Sequence, residues 1–258
     1  MISRFRPALL LLFALSATGC STSDPATTSG NGDSATLPFP DDPDLWPSIR
    51  QERIRTLLGP AMARAGVEAW LVLARENAND PIAAHIGAEN AGGLAAFLFF
   101  ADDAGNLESL AISPETEATA LSEVTPLDDV RSVRRGTSVY TAVAEELRSR
   151  NPASIAVNSS SRNIADGLSY TQRSALQEAL GPALSSRLVS SEEVVIEWLS
   201  VKLPQEIEIM RRAAELTEQL VLEAYGQIVP GETTDADVAR FLQRRMAELG
   251  VTDGWAPD

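Results

Sequence analysis

The chain has 258 residues, with 21 Lys+Arg, 36 Asp+Glu, one His, one Cys and a formal charge of −15. That acidity excludes nucleic acid as a partner, because each phosphate contact needs a cation that displaces counterions. One cysteine excludes an intramolecular disulfide framework and any zinc site built from four cysteines or from paired cysteines and histidines, and one histidine leaves little room for a triad beside a histidine-bearing metal site. With 44% hydrophobic and 22% charged residues, the composition is that of a globular protein with one large domain or two small ones.

Arg4 and Arg6 precede an apolar run from Ala8 to Leu15, and Ser16-Ala17-Thr18-Gly19-Cys20 follows. Charged, apolar and small residues in that order predict an export signal. The apolar run is about half the ~20 residues of a bilayer-spanning helix, which argues for export rather than a permanent span. Its Gly19-Cys20 end resembles the lipobox of bacterial lipoproteins. The resemblance implies that residues 1–19 are removed as a signal peptide and that Cys20 becomes the acylated N-terminus. Ser21 is similar to the residue found in chains sent on to the outer membrane. The implied location is the bacterial cell envelope, facing the periplasm, with the membrane as partner through the lipid anchor. Acyl chains contribute ~0.8 kcal/mol per buried methylene. Cleavage removes Arg4 and Arg6 and no acid, so the exported chain is more acidic still. Residues 20–45, rich in Ser, Thr, Gly, Asp and Pro, predict a flexible tether.

Helical periodicity begins near Trp46, with Ile49, Ile54, Leu57, Leu58, Met62 and Ala65 on one face and Gly66 as stop. Val67–Leu73 reads as a buried strand. Leu94–Phe100 and Leu107–Ile112 read as a hairpin whose turn, Asp102-Asp103-Ala104-Gly105-Asn106, carries residues that tolerate positive φ. Helices follow at Glu115–Leu121 and Ser138–Ser149, a strand at Ser154–Val157, and a helix at Tyr170–Leu180 closed by Gly181. Alternating strands and helices over residues 46–198 predict an α/β domain with a mixed sheet. After Ser191 the pattern is helical throughout, at Glu192–Lys202, Pro204–Ile228 and Thr234–Leu249. Val229-Pro230-Gly231 breaks the long amphipathic helix, and Thr234 with Asp237 forms a capping box for the next.

Leu203-Pro204-Gln205-Glu206-Ile207, Met210-Arg211-Arg212-Ala213-Ala214, Val229-Pro230-Gly231-Glu232-Thr233-Thr234, Asp237-Val238, Leu249-Gly250 and Trp255-Ala256-Pro257 occur in this order. The set resembles the entry to the catalytic domain of the pita-bread metallopeptidases: aminopeptidase P, prolidase and creatinase. Residues 46–198 are similar to the creatinase-like N-terminal domain of that family. The resemblance implies that residues 199–258 are a helical hairpin beginning an incomplete pita-bread α+β domain. It also implies a divalent metal pair (Mn, Co or Zn) in the complete enzyme, held by two Asp, one His and two Glu on strands beyond the Trp-x-Pro stretch. Such a pair activates a bridging water and polarises the scissile carbonyl. No residue of this chain maps onto those ligands or onto a catalytic residue, so the chain alone is expected to bind no metal and to be inactive. The resemblance further implies a peptide substrate for the full-length form only, and a homodimer.

The remaining polar residues favour structural roles. His85, with Asp80 as an orienting carboxylate, lacks a positioned nucleophile. Ser159-Ser160-Ser161 reads as a loop, Asp102 and Asp103 as turn residues, and Arg131, Arg134 and Arg135 as a solvated strand edge. Asn158-Ser159-Ser160 matches a glycosylation acceptor that has little meaning in a bacterium. Two functional classes follow. One is the front part of an envelope-anchored Xaa-Pro aminopeptidase or dipeptidase; the other is a non-catalytic envelope lipoprotein for binding or oligomerisation.

Overall fold

The computed structural model describes residues 44–76 and 80–252. The signal segment, Cys20, the tether up to residue 43 and Trp255-Ala256-Pro257-Asp258 lie outside the described residues. One compact unit is Pro43–Leu203; the other contains Pro204–Asp258.

The first unit begins with α1 (Leu45–Arg53), a π-helical turn (Ile54–Leu58) and α2 (Gly59–Arg64), which together fill the helix expected from Trp46 to Ala65. Pro60 has no N–H for the carbonyl of Thr56 and crowds it, and the helix widens just ahead of it. Next come β1 (Ala69–Ala74), α3 (Ala83–Ile86), β2 (Ala95–Ala101), β3 (Leu107–Pro114), α4 (Glu115–Val124) and β4 (Asp129–Val133). The unit closes with α5 (Val139–Arg150), β5 (Ile155–Val157), α6 (Tyr170–Ser185), β6 (Leu188–Ser190) and α7 (Glu192–Ser200). Helical geometry in α6 breaks at Gly181 (φ 72°), where the sequence places its end, and resumes at Pro182. Two strands and one short helix go beyond the sequence reading: β4, β6 and α3.

The six strands form one mixed sheet in the order β4-β3-β2-β1-β5-β6. β2 runs antiparallel to both neighbours, and the other pairings are parallel. β1 and β2 are buried along their whole length, so they read as continuous apolar runs rather than alternating ones. On one face Trp70, Val72, Phe97 and Phe99 pack with Leu58 and Met62 of the first helices, Ile82 and Ile86, and Val194, Val195 and Trp198 of α7. On the other, Leu71, Leu73, Leu98 and Ile112 pack with Val143 and Leu147 of α5 and Leu176 and Leu180 of α6. This three-layer arrangement is the α/β architecture that the alternation of elements predicts.

The β2–β3 turn is built as its residues demand. Asp102 accepts hydrogen bonds from the N–H groups of Ala104 and Asn106, both at 2.9 Å, and from Asn106 Nδ2 at 2.7 Å, while Gly105 takes φ 82°. The bond from the Asn106 side chain, with the backbone bonds beside it, holds the Asp102 carboxyl below the usual carboxylate range. The turn docks on the start of α2. A Cβ on Gly59 would stand 2.1 Å from the Gly105 carbonyl oxygen.

The second unit contains α8 (Pro204–Tyr225) and α9 (Asp235–Leu249). Leu216, Leu220 and Val251 form its small core, with Leu242, Met246 and Leu249 against them. Thr234 and Asp237 make the predicted capping box. The Thr234 bonds, side chain first, then that from Arg240, lower the Asp237 carboxyl to about 2. Ile207, Met210, Leu222, Tyr225, Ile228 and Val229 are exposed, and α9 buries no residue completely.

Candidate functional site

β1, β3, β4, β5 and β6 share one direction, so their carboxyl ends lie along one edge of the sheet. After β1 the chain continues into α3 on one face; after β5 it continues into α6 on the other. Adjacent strands whose connections depart to opposite faces open a crevice between them, the usual ligand position of open α/β sheets. Here the crevice is filled from within.

Asn158, directly after β5 and 1% exposed, is its centre. Its Oδ1 accepts from Trp70 Nε1 at 2.9 Å and from Ser191 Oγ at 2.6 Å. Its Nδ2 donates to both oxygens of Asp80, at 2.8 and 3.0 Å. Asp80 also accepts from the Ile82 N–H at 3.0 Å, and the N–H groups of Gly167 and Leu168 donate to the Asn158 carbonyl at 3.1 and 2.8 Å. Trp70, Asp80 and Ser191 thus meet on one side-chain amide. Gly167 is required there, since a Cβ would stand 2.1 Å from Asp80 Oδ2. Burial pushes the Asp80 carboxyl above the usual carboxylate range; the Ile82 and Asn158 bonds oppose this, and Asp166 adds to it.

The polar residues singled out in the sequence are placed as follows. Asp80 turns to Asn158 rather than serving as an orienting carboxylate for His85. His85 stands edge-on to Trp46 (5.7 Å, 76°) and to Trp198 (6.2 Å, 71°). Arg53 lies against the Trp198 ring at 5.6 Å, and its guanidinium donates to the carbonyls of Trp198 and Val201 at 2.6 and 2.9 Å. This cluster ties α1 to α7. Ser160 donates to Glu192, which also accepts from Arg162 Nε at 2.9 Å, so the serine run is a cross-linked loop. Those two bonds, Ser160 first, hold the Glu192 carboxyl low. The amide of Asn158 is buried and fully engaged, which puts it out of reach of any glycosylating enzyme. Arg131 is exposed on the edge strand β4, as expected, and it also donates to Glu146 at 2.6 Å, as does Arg150 Nε at the same distance. Arg150 also pairs with Glu108 at 2.5 Å and covers the Phe100 ring at 4.2 Å. Burial raises the Glu146 carboxyl, but the two arginines outweigh it and leave it below its usual range.

A surface cavity of about 370 Å3 lies at the start of β3, between Glu108, Asp128, Arg131 and Arg150. Arg150 pairs with Glu108, Arg131 with Glu146, and Asp128 with Ser109, whose N–H and Oγ donate to it at 2.8 and 2.6 Å, while Asp129 accepts from the Val130 N–H at 2.9 Å. Among the described residues no three His, Cys, Asp or Glu side chains converge as a metal donor set, and no helix is long and apolar enough to cross a membrane. A dinuclear centre therefore does not fit the described residues.

No family model matches the chain, and no curated protein matches it either. Solved structures do. The dipeptidase PepE from Mycobacterium ulcerans superposes with a TM-score of 0.52 at 18% identity, over 78% of this chain and 50% of that one. The X-Pro aminopeptidase from Thermotoga maritima MSB8 matches at 20% identity and a TM-score of 0.47, over 74% of this chain and 49% of that one. The N-terminal domain of the cytoplasmic peptidase PepQ from Mycobacterium tuberculosis H37Rv matches at 20% identity and a TM-score of 0.40, over 58% of this chain and 97% of that one. The chain thus spans about half the length of the dipeptidase and the aminopeptidase. At 18% identity the likeness to the dipeptidase shows the fold alone, a mixed six-stranded sheet flanked by helices.

Proposed function

We propose that this chain is the front part of a metal-dependent Xaa-Pro aminopeptidase or dipeptidase, anchored in a bacterial envelope through Cys20. The supporting observation is the joint order of two parts. A sheet unit with the fold of the Mycobacterium ulcerans dipeptidase is followed by the helix–Pro-Gly–capped helix whose residues, Leu203 to Val238, resemble the entry to a pita-bread domain. In this reading the metal pair sits on polypeptide beyond the residues described, and the sheet unit borders the substrate entrance. The exposed apolar residues Ile207, Met210, Leu222 and Tyr225 are then the surface on which the rest of the catalytic domain packs.

The second reading, a non-catalytic envelope lipoprotein for binding or oligomerisation, takes the same exposed residues of α8 as the surface that a partner or a second copy covers. One measurement separates them, and a second tests the anchor that both share. Residues 20–258 should release no N-terminal residue from Xaa-Pro peptides with added Mn2+, whereas the product of the same gene read past codon 258 should do so; no turnover by that longer product refutes the peptidase reading. Cys20→Ser should move the protein from the membrane to the soluble fraction, and unchanged fractionation refutes the anchor.

A further inference from the structure

Among the described residues two carboxylates are buried, Asp80 and Glu146, and they are treated oppositely. Glu146 has two guanidinium groups against it. Asp80 has a neutral amide and one backbone N–H. The amide cannot be turned over, because Trp70 and Ser191 both donate to its oxygen and so fix its nitrogen toward Asp80.

The other charged groups around this junction do not balance the carboxylate. Asp166, on the loop after β5, has the same sign and raises the cost of charging Asp80. Glu192, at the start of α7, is turned to Ser160 and Arg162, so Arg162 is already neutralised. A buried carboxylate that is hydrogen-bonded but has no counter-ion binds a proton more readily in the folded chain than in the unfolded one.

We propose that Asp80 is a proton-operated latch: uptake of one proton by its carboxyl group tightens the hold of the loop after β1 on the end of β5. The proton goes to one carboxyl oxygen, and the other keeps Asn158 Nδ2 and the Ile82 N–H. The sign follows from linkage. A carboxyl whose folded value lies above its unfolded one contributes stability that is fully present below the unfolded value and is lost as pH rises through the folded value. Any opening that exposes Asp80 is therefore suppressed in acid. What is held is the start of α3, and with it the His85 side chain between Trp46 and Trp198.

The test is a carbon-13 NMR titration of Asp side-chain carboxyls in the full chain, with amide hydrogen exchange at Ile82 followed over the same pH range. Asp80 should titrate above the ordinary carboxylate range, and Ile82 protection, corrected for the intrinsic exchange rate, should increase severalfold as the pH falls through that midpoint. The Asp80→Asn variant should lose the pH dependence of protection. If that variant does not fold, the Asn158 side-chain amide signal in the unmodified protein reports the same titration. An Asp80 midpoint within or below the ordinary carboxylate range, or Ile82 protection independent of pH, overturns the proposal.

Discussion

Replacing Asn158 with Ala removes one side chain and strands three partners at once. Trp70 Nε1 and Ser191 Oγ lose their acceptor, and Asp80 loses its only side-chain donor among the described residues. Each buried polar group left unsatisfied costs about 1–3 kcal/mol, and a charged one more. Water entering the space of the lost amide recovers part of that, so a net loss of about 3–5 kcal/mol is expected, a large share of the ~5–15 kcal/mol that holds a domain together. Asn158→Asp makes the comparison sharper. It keeps an acceptor for Trp70 and Ser191 but sets a second carboxylate where Asn158 Nδ2 stood, 2.8 Å from Asp80 Oδ1. Such a pair holds one proton, so this variant should be strongly destabilised near neutrality and regain stability as the pH falls. Urea unfolding followed by tryptophan fluorescence reads both, since Trp70 and Trp198 are buried within the same core. A loss below about 1 kcal/mol for Asn158→Ala, or the same deficit for Asn158→Asp in acid as at neutrality, would refute the reasoning.

Glu146→Gln should cost about 1 kcal/mol at neutral pH, because Arg131 and Arg150 are themselves partly solvated. Since the folded carboxyl lies below its unfolded value, its contribution is present above the unfolded value and fades as pH falls through the folded one. The gap between wild type and variant in urea midpoints should thus close in acid, below the usual glutamate range. Trp198→Ala should cost about 3–5 kcal/mol in the same assay, as it empties a fully buried site and removes the donor to the Arg53 carbonyl at 3.1 Å. Gly59→Ala should cost about 1–3 kcal/mol through the contact with Gly105; a neutral effect would mean that the β2–β3 turn does not dock on α2.

The legible parts of the fold are those whose own side chains carry the signal. β1 and β2 are unbroken apolar runs, the β2–β3 turn has its Asp, Gly and Asn in place, and the Thr234–Asp237 cap fixes the start of α9. β4 and β6 are not legible, because edge strands are defined by the neighbour they pair with. Asp129, Arg131 and Ser132 are exposed, and β6 has three residues with Val189 and Ser190 exposed. The filled crevice is hidden for another reason. Asp80 and Asn158 are 78 positions apart, and each lies in a polar stretch that reads as loop. Only the parallel pairing of β1 with β5 puts them side by side. A signal is nevertheless present: a carboxylate and an amide, each placed shortly after a buried apolar strand, are what the carboxyl ends of a parallel sheet collect.

The position of β1 also constrains how the chain can assemble. Its pairing with β2 is local, and β3 and β4 can then add in sequence on that side. Its other edge stays open until Ile155–Val157, far along the chain, arrives to pair with it. Until then, a wholly apolar strand offers an open row of backbone N–H and C=O groups, the template on which a second chain can add. The interval is when this protein is most exposed to aggregation, and it ends when Asn158 reaches Trp70 and closes the seam.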